Sequence, residues 1–338
     1  MKSIAAIDVE LPAGFVARPI DPDADSQAIT DLSNVAAVAE YGTPDATLQM
    51  VQESYRMPSF NPATDGRVVC DPEGHVAAVV EFYDSDAEHV APFVYLRVRP
   101  DLLDSGVGQG LVAWAESRAE ANLTLPAPDL RVAAHTNVAA LNVPMQRMLE
   151  GGGWQLERVY RTMEIELDEE APSVPPLPEP LTIRTAVAGQ DERAVYEAEE
   201  EAFADHYGFV QQGYDAWLQM FTKFFPYDPS LWFLAMDGSQ IAGISLCRLE
   251  AAGRPEVGWV GTLGVRPAWR GRGLGLTLLK HSFAELHRRG KRQVGLAVDS
   301  QSLTGATRLY ERAGMHATRD NRGHERVLRE GRDIRTTS

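Results

Sequence analysis

The sequence is short of the features that would narrow its class at once. It has only two cysteines in 338 residues. Cys70 and Cys247 lie far apart, with no Cys or His neighbour at ligand spacing. This argues against a disulfide framework or a structural zinc site, and no metal is expected. Both read as small buried apolar residues. No stretch approaches the roughly 18 uninterrupted apolar residues of a membrane span. The N-terminal run MKSIAAIDVELPAGF carries one Lys and is broken by Asp8 and Glu10. It lacks the apolar core of a signal peptide, so a cytoplasmic protein is expected. Positive charge is scarce as well: 32 Lys and Arg against 48 Asp and Glu give a net charge of −16. Such a balance suits a nucleic-acid backbone poorly. It suits a cationic substrate, although solubility alone would explain it.

What the chain does have is ordinary globular composition, 44% hydrophobic, and a length that suggests two domains. The clearest break is Asp168 to Pro180, DEEAPSVPPLPEP. Its five prolines forbid a helix and favour an extended, semi-rigid linker. The segments on either side repeat one plan. Phe15–Pro19 matches Leu181–Thr185, a short alternating strand before an acidic helical run. Val94–Pro100 matches Gly261–Pro267, a strand ended by Arg-Pro. Each then passes through a loop into Gly-x-Gly and a helix, at Gly106-Val107-Gly108 and Gly273-Leu274-Gly275. Near each end a helix closes on glycine before a bulky residue, at Met148–Trp154 and Leu309–Met315. Three paired features in the same order point to a duplicated domain. Within each half the pattern is mixed α/β. Strands are expected at 76–82, 232–236, 241–249 and 293–298, with a turn at Asp237-Gly238. Helices are expected at 112–121 and 274–289. In the second of these Leu274, Leu278, Leu279, Phe283 and Leu286 recur at helical spacing before Gly290.

The most informative segment is Arg270-Gly271-Arg272-Gly273-Leu274-Gly275, between a strand and a helix. Such a turn presents backbone N–H groups at a helix N-terminus, where the dipole favours an anion. Glycines allow close approach and two arginines add charge, so a diphosphate is the natural guest. A P-loop would need Gly-Lys-Ser/Thr, but Leu276-Thr277 follow Gly275. A dinucleotide fingerprint would need Gly or Ala where Leu276 or Leu278 stands, though Asp299 is an acid at a tolerable distance. A glycine-rich turn without a ligand also remains open at this point.

The wider segment Val265–Gly275 resembles the pyrophosphate loop of the GNAT superfamily of acyl-CoA-dependent N-acyltransferases. Arg270, Gly273 and Gly275 meet its Arg/Gln-x-x-Gly-x-Gly/Ala pattern. Leu309-Tyr310-Glu311-Arg312-Ala313-Gly314-Met315 resembles the family's Leu-Tyr-x-x-x-Gly-Phe motif, with Met315 for Phe. The resemblance is specific over about 181–320 and faint over 15–165. It implies two tandem GNAT-like domains, each a twisted mixed sheet flanked by helices. The expected division is an N-terminal domain over 1–167, a linker over 168–180, a catalytic domain over 181–330 and a tail over 331–338.

The resemblance also implies roles. The strand through Leu263 and Val265 would pair with the pantetheine arm of acetyl-CoA. The amides of Arg270, Gly271, Arg272, Gly273, Leu274 and Gly275 would hold its diphosphate. Ser302 falls nearest the place where the family often has Asn beside the pantetheine. Tyr310 would sit beside the sulfur, where a phenol of pKa roughly 10 can protonate a departing thiolate of pKa roughly 8.5. A core tyrosine with a locally bonded hydroxyl is the plain alternative. Many relatives carry a carboxylate on the strand before the loop. Glu256 is the only acid there and lies early, so it shares the candidacy for general base with a water chain. Glu201, Asp205 and His206, at the end of the first long helix of the second half, fall where the family borders its acceptor. An exposed helix end would look the same.

The two copies are unequal. Leu103, Asp104 and Ser105 stand where the second half has Arg270, Gly271 and Arg272, and Leu149 stands for Tyr310. A negative charge at Asp104 would repel a diphosphate, so the first copy reads as degenerate. The expected activity is acetyl transfer from acetyl-CoA to a primary amine of a small molecule or peptide, by direct attack in a ternary complex. The alternatives are a catalytically silent acyl-CoA-binding sensor or scaffold and, with less support, a dinucleotide oxidoreductase.

Overall fold

A computed structural model describes residues 8–302 and 305–336. The first seven residues of the N-terminal run and the last two of the tail lie outside the described residues. In chain order the first half comprises β1 (Val16–Pro19), α1 (Pro22–Tyr41), α2 (Leu48–Ser54), α3 (Pro62–Asp65), β2 (Gly66–Cys70), β3 (Val76–Tyr83), β4 (Phe93–Val98), α4 (Val107–Ala121), β5 (Val132–Ala139), α5 (Val143–Gly151) and β6 (Gln155–Glu166). The second half comprises β7 (Thr182–Thr185), α6 (Glu192–Phe203), α7 (Tyr214–Gln219), β8 (Trp232–Asp237), β9 (Gln240–Arg248), β10 (Val257–Val265), α8 (Leu274–Arg288), β11 (Gln293–Asp299), α9 (Ala306–Arg312) and β12 (His316–Arg329). Residues 168–180 carry no helix or strand. Both cysteines are free, Cys247 buried and Cys70 partly so. No described helix is long and apolar enough to cross a membrane.

The chain forms two compact units, and their membership differs from a simple cut at the proline-rich segment. One takes in the chain up to Val159 together with Asn321–Ile334; the other takes in Tyr160–Asp320 and the residues from Arg335. The sheet of the first unit runs β1-β2-β3-β4-β5-β12, and that of the second runs β7-β8-β9-β10-β11-β6. The orders match strand for strand, as duplication requires, except that each sheet takes its last strand from the other half. Asn321–Arg329 pair antiparallel with β5, and Tyr160–Glu166 pair antiparallel with β11.

Each sheet is buried on both faces, which its period-2 alternation shows directly. On β8, Trp232, Leu234 and Met236 enter one apolar cluster with Val195 and Ala198 of α6 and Trp217 of α7. Phe233 and Ala235 point the other way, into a cluster with Leu274, Leu278, Leu279, Phe283 and Leu286 of α8. The helical spacing expected for α8 is therefore its buried face, and each such side chain stabilises by about 1.5–3 kcal/mol relative to exposure. The first unit repeats this plan. Ala78, Val80 and Phe82 of β3 pack with Leu111, Trp114 and Ala115 of α4, and Val79 packs with Ile29 and Leu32 of α1.

One feature of the second sheet opens the site. β10 and β11 are parallel neighbours only from Val257↔Gln293 to Trp259↔Gly295. Beyond that they part, and a bulge between Val260 and Thr262 takes Gly261 out of register with β9. Bulges bend a strand and increase its twist. The gap that results lies between the C-terminal ends of two strands, where α8 and α9 begin.

Candidate active site

A cavity of about 650 Å³ fills this gap, lined along β10 by Val260–Val265 and along β11 by Leu296–Asp299. Its far end is the glycine loop. Gly271 and Gly273 hold φ of +75° and +84°, conformations open to glycine at little cost. Gly273 caps α8 with no side-chain hydrogen bond to the first turn. Nothing lies within 4 Å of where a Cβ on either glycine would stand. Open space, a helix N-terminus and uncapped amides together fit a diphosphate. The run of lining residues along β10, Val260 to Val265, fits an arm that pairs with a strand.

Most of the residues expected to hold the cofactor meet here: Leu263, Val265, Arg270, Gly271, Gly273, Leu274, Gly275, Ser302 and Tyr310 all line the cavity. Arg272 does not; it is exposed, its guanidinium 3.4 Å from the Ala268 carbonyl. Arg270 is engaged elsewhere. Its Nε donates to the Val265 carbonyl at 2.9 Å and one terminal nitrogen to the Ala202 carbonyl at 2.8 Å. It also forms an ion pair with Asp205. Arg270 thus fastens the loop to the end of α6, and its charge is largely spent on Asp205.

The acceptor-side expectations divide similarly. Glu201 is exposed, lines neither large cavity and pairs with Arg266. Asp205 and His206 line a second cavity of about 590 Å³, and His206 lines the first as well. Burial lowers the His206 pKa, which keeps the ring neutral near pH 7. Glu256 precedes β10 at the end still paired with β11, is exposed, and sits 3.4 Å from Arg254. It lines neither cavity.

Two carboxylates line both cavities, Asp299 at the end of β11 and Glu199 of α6. The two oxygens of Glu199 accept from Trp217 Nε1 at 2.5 Å and Thr262 Oγ1 at 3.2 Å, so it is tied to α7 and to β10 just past the bulge. Desolvation outweighs both bonds and raises its pKa to about 7. The approach of α6 to β10 depends on Gly264, where a Cβ would stand 3.0 Å from the Phe203 ring and 3.1 Å from Ala202. Glu199 does not stand out in the sequence because it sits in the acidic run EAEEEAF. The available signal was spacing: it lies four residues after Val195 and three before Ala202, both buried.

Tyr310 of α9 is buried at 7% exposure and faces the first cavity. Among the described residues its hydroxyl has no hydrogen-bond partner, and burial raises its pKa to about 12.

The corresponding place in the first unit is closed. Its cavity beside β4 and β5 holds about 10 Å³. A Cβ on Gly106 would meet Pro12 at 3.4 Å, and the Val107 amide already donates to Ser105 Oγ at 3.3 Å. Leu149 is buried in the core and Asp104 is exposed. That unit also holds the one cluster among the described residues with metal-ligand spacing, His135, Glu157 and Glu325. Its charges are met internally: Arg131 pairs with Glu325 at 2.7 Å and His135 with Glu157 at 3.0 Å.

The Acetyltransferase (GNAT) family matches residues 193–315. A mycothiol acetyltransferase from Streptomyces scabiei is 32% identical over 228 residues, covering 66% of this chain and 68% of the relative. One from Geodermatophilus obscurus is 35% identical over 227 residues, covering 65% and 68%. Among solved structures, a GCN5-related N-acetyltransferase from Sphaerobacter thermophilus is 35% identical and superposes with a TM-score of 0.79 over 97% of this chain and 100% of that one. A tandem GNAT protein from the clavulanic acid biosynthesis pathway shares the fold, with a TM-score of 0.71 at 18% identity over 94% of this chain and 100% of that one.

Proposed function

The chain belongs to the GNAT family of acyl-CoA-dependent acetyltransferases, and from that premise we propose that it moves the acetyl group of acetyl-CoA to a primary amine by direct attack in a ternary complex. The carrying observation is that Glu199 and Tyr310 line one cavity whose far end is the open loop at Gly271–Gly275.

The chemistry needs a base. A primary amine of pKa roughly 10 arrives protonated and cannot attack until it loses a proton. Glu199, with a pKa near 7, is half ionised at neutral pH and close to the best compromise between availability and strength. It takes the proton, and the nitrogen lone pair forms a C–N bond to the thioester carbonyl. The C–S bond then breaks and the thiolate leaves with its electron pair. The ammonium loses two protons in all; one ends on the CoA sulfur and the other in solvent. No cysteine lines the cavity among the described residues, and Cys247 is buried elsewhere, which favours direct attack over an acyl-thiol intermediate.

Tyr310 serves this scheme as a hydrogen-bond donor. A phenol raised to about 12 does not give its proton to a thiolate of pKa roughly 8.5, but it stabilises the charge as it develops. Transfer from a phenol of pKa roughly 10 to such a thiolate is already uphill, and the burial of Tyr310 makes it more so. Tyr310→Phe should keep acetyl-CoA affinity and lower kcat by about 10- to 100-fold, the scale of one hydrogen bond to a charged group. The check is thiol release from acetyl-CoA in the presence of amine, with affinity measured by calorimetry. Wild-type kcat in this variant would remove Tyr310 from the mechanism. Acetyl-CoA binding without thiol release for any amine would leave the silent sensor as the better account.

A further inference from the structure

The second cavity has a chemistry of its own. It meets the first at Glu199, Phe203, His206 and the end of β11, so a molecule seated there would face the acetyl group. Its walls are aromatic: Phe203, Phe209, Trp217, Phe221 and Phe225 are among the lining residues, with Trp217 and Phe221 stacked at 4.8 Å between centroids. Its charges are all of one sign. Glu199, Glu200 and Asp299 line it, and none of the three has an ion-pair partner among the described residues. Neither Lys nor Arg is among the described lining residues. Arg248 lies on the Phe225 ring at 3.8 Å but does not itself line the cavity.

Carboxylates beside aromatic faces, in a half-enclosed space without a cation, favour a guest that brings the positive charge and apolar surface. A guest with its own carboxylate or phosphate would add like charge to three acids. A polyhydroxylated guest would find Gln212, Gln301 and Ser302 on the wall but leave its other hydroxyls against aromatic rings. Building on the acetyltransferase reading, we infer that the acceptor is a primary amine on a short chain carrying an aromatic or branched apolar body, with no anionic group. The ammonium sits between Glu199 and Glu200, and the apolar body lies against Trp217, Phe221 and Phe225.

The test uses matched amines with the full chain and saturating acetyl-CoA. 2-Phenylethylamine and tryptamine are compared with phenylalanine and tryptophan, which differ only by the carboxylate, and with glucosamine. Each aryl-alkyl amine should exceed its carboxylated partner and glucosamine by at least about tenfold in kcat/KM, the factor for one unfavourable charge contact. Glu200→Gln should raise KM for tryptamine about tenfold and leave acetyl-CoA affinity unchanged, which also reports that the variant is folded. Preference for phenylalanine or tryptophan would overturn the inference and assign Arg248 to the carboxylate. Acetyl-CoA binding with no turnover of either aryl-alkyl amine would overturn it while sparing the acetyltransferase reading. Absence of acetyl-CoA binding would overturn that reading itself.

Discussion

Glu199→Gln should lower turnover by about 10²- to 10⁴-fold while acetyl-CoA affinity stays near wild type. The substitution keeps shape and hydrogen bonding. The amide oxygen can accept from Trp217 Nε1 as Glu199 does now, and the amide nitrogen can donate to Thr262 Oγ1, which reverses the direction of the second bond. Only basicity is lost. The pH dependence makes the assignment specific. A carboxyl raised to about 7 must be ionised to act, so wild-type kcat/KM should fall about tenfold per unit below pH 7 and level off above it. The variant should lack that limb. Stability moves in the opposite sense. Because the folded pKa lies above the ordinary 4.5, the contribution of this group to stability is fully present below about 4.5 and is lost as pH rises through about 7. At pH 8 the variant should therefore melt no lower than wild type. A pH–rate profile between 5.5 and 9, with a melting curve for each protein, checks all of this. Wild-type kcat and an unchanged acidic limb in Glu199→Gln would remove Glu199 as the base.

Gly273→Val should abolish acetyl-CoA binding at concentrations that saturate the wild type, a loss of about 10²-fold or more, and turnover should fall with it. Two effects act together. The backbone at φ +84° is strained for a β-branched residue, at about 1–3 kcal/mol. The side chain would also enter space that has nothing within 4 Å and that the diphosphate would need. Gly290→Val separates these effects. Gly290 has φ +89°, is equally open, follows α8 and does not line the cavity. It should lose comparable stability and still bind. Calorimetry of the wild type should give one equivalent per chain, since Pro12 stands over Gly106 and only about 10 Å³ remains at the corresponding place in the first unit. Two equivalents of equal affinity would contradict that closure.

Much of this was legible in the sequence because its signals are local. The glycine loop, the tyrosine helix, the apolar stripe of α8 and the doubled order of strands each fall within a short window, and the family resemblance rests on two such windows. The rest depends on pairings between distant residues. Arg270 carries the charge a diphosphate would want, but Asp205, 65 residues away, holds it. Glu256 and Glu199 are both acids before the loop; only the splaying of β10 from β11 and the packing of α6 against Gly264 decide which one reaches the cavity. The exchange of final strands was invisible for a similar reason. β12, HATRDNRGHERVLR, is mostly polar with little apolar alternation to mark a face, and its burial comes from β5, nearly 200 residues earlier.

The proposed reaction is direct transfer between two bound substrates in the cavity of the second unit. The most direct test is an initial-velocity study of thiol release in which acetyl-CoA and an accepted amine are both varied. Sequential attack in a ternary complex predicts double-reciprocal lines that intersect, with no thiol released from acetyl-CoA before amine is added. Parallel lines, with a burst of thiol in the absence of amine, would show an acetylated enzyme intermediate and rule out direct transfer.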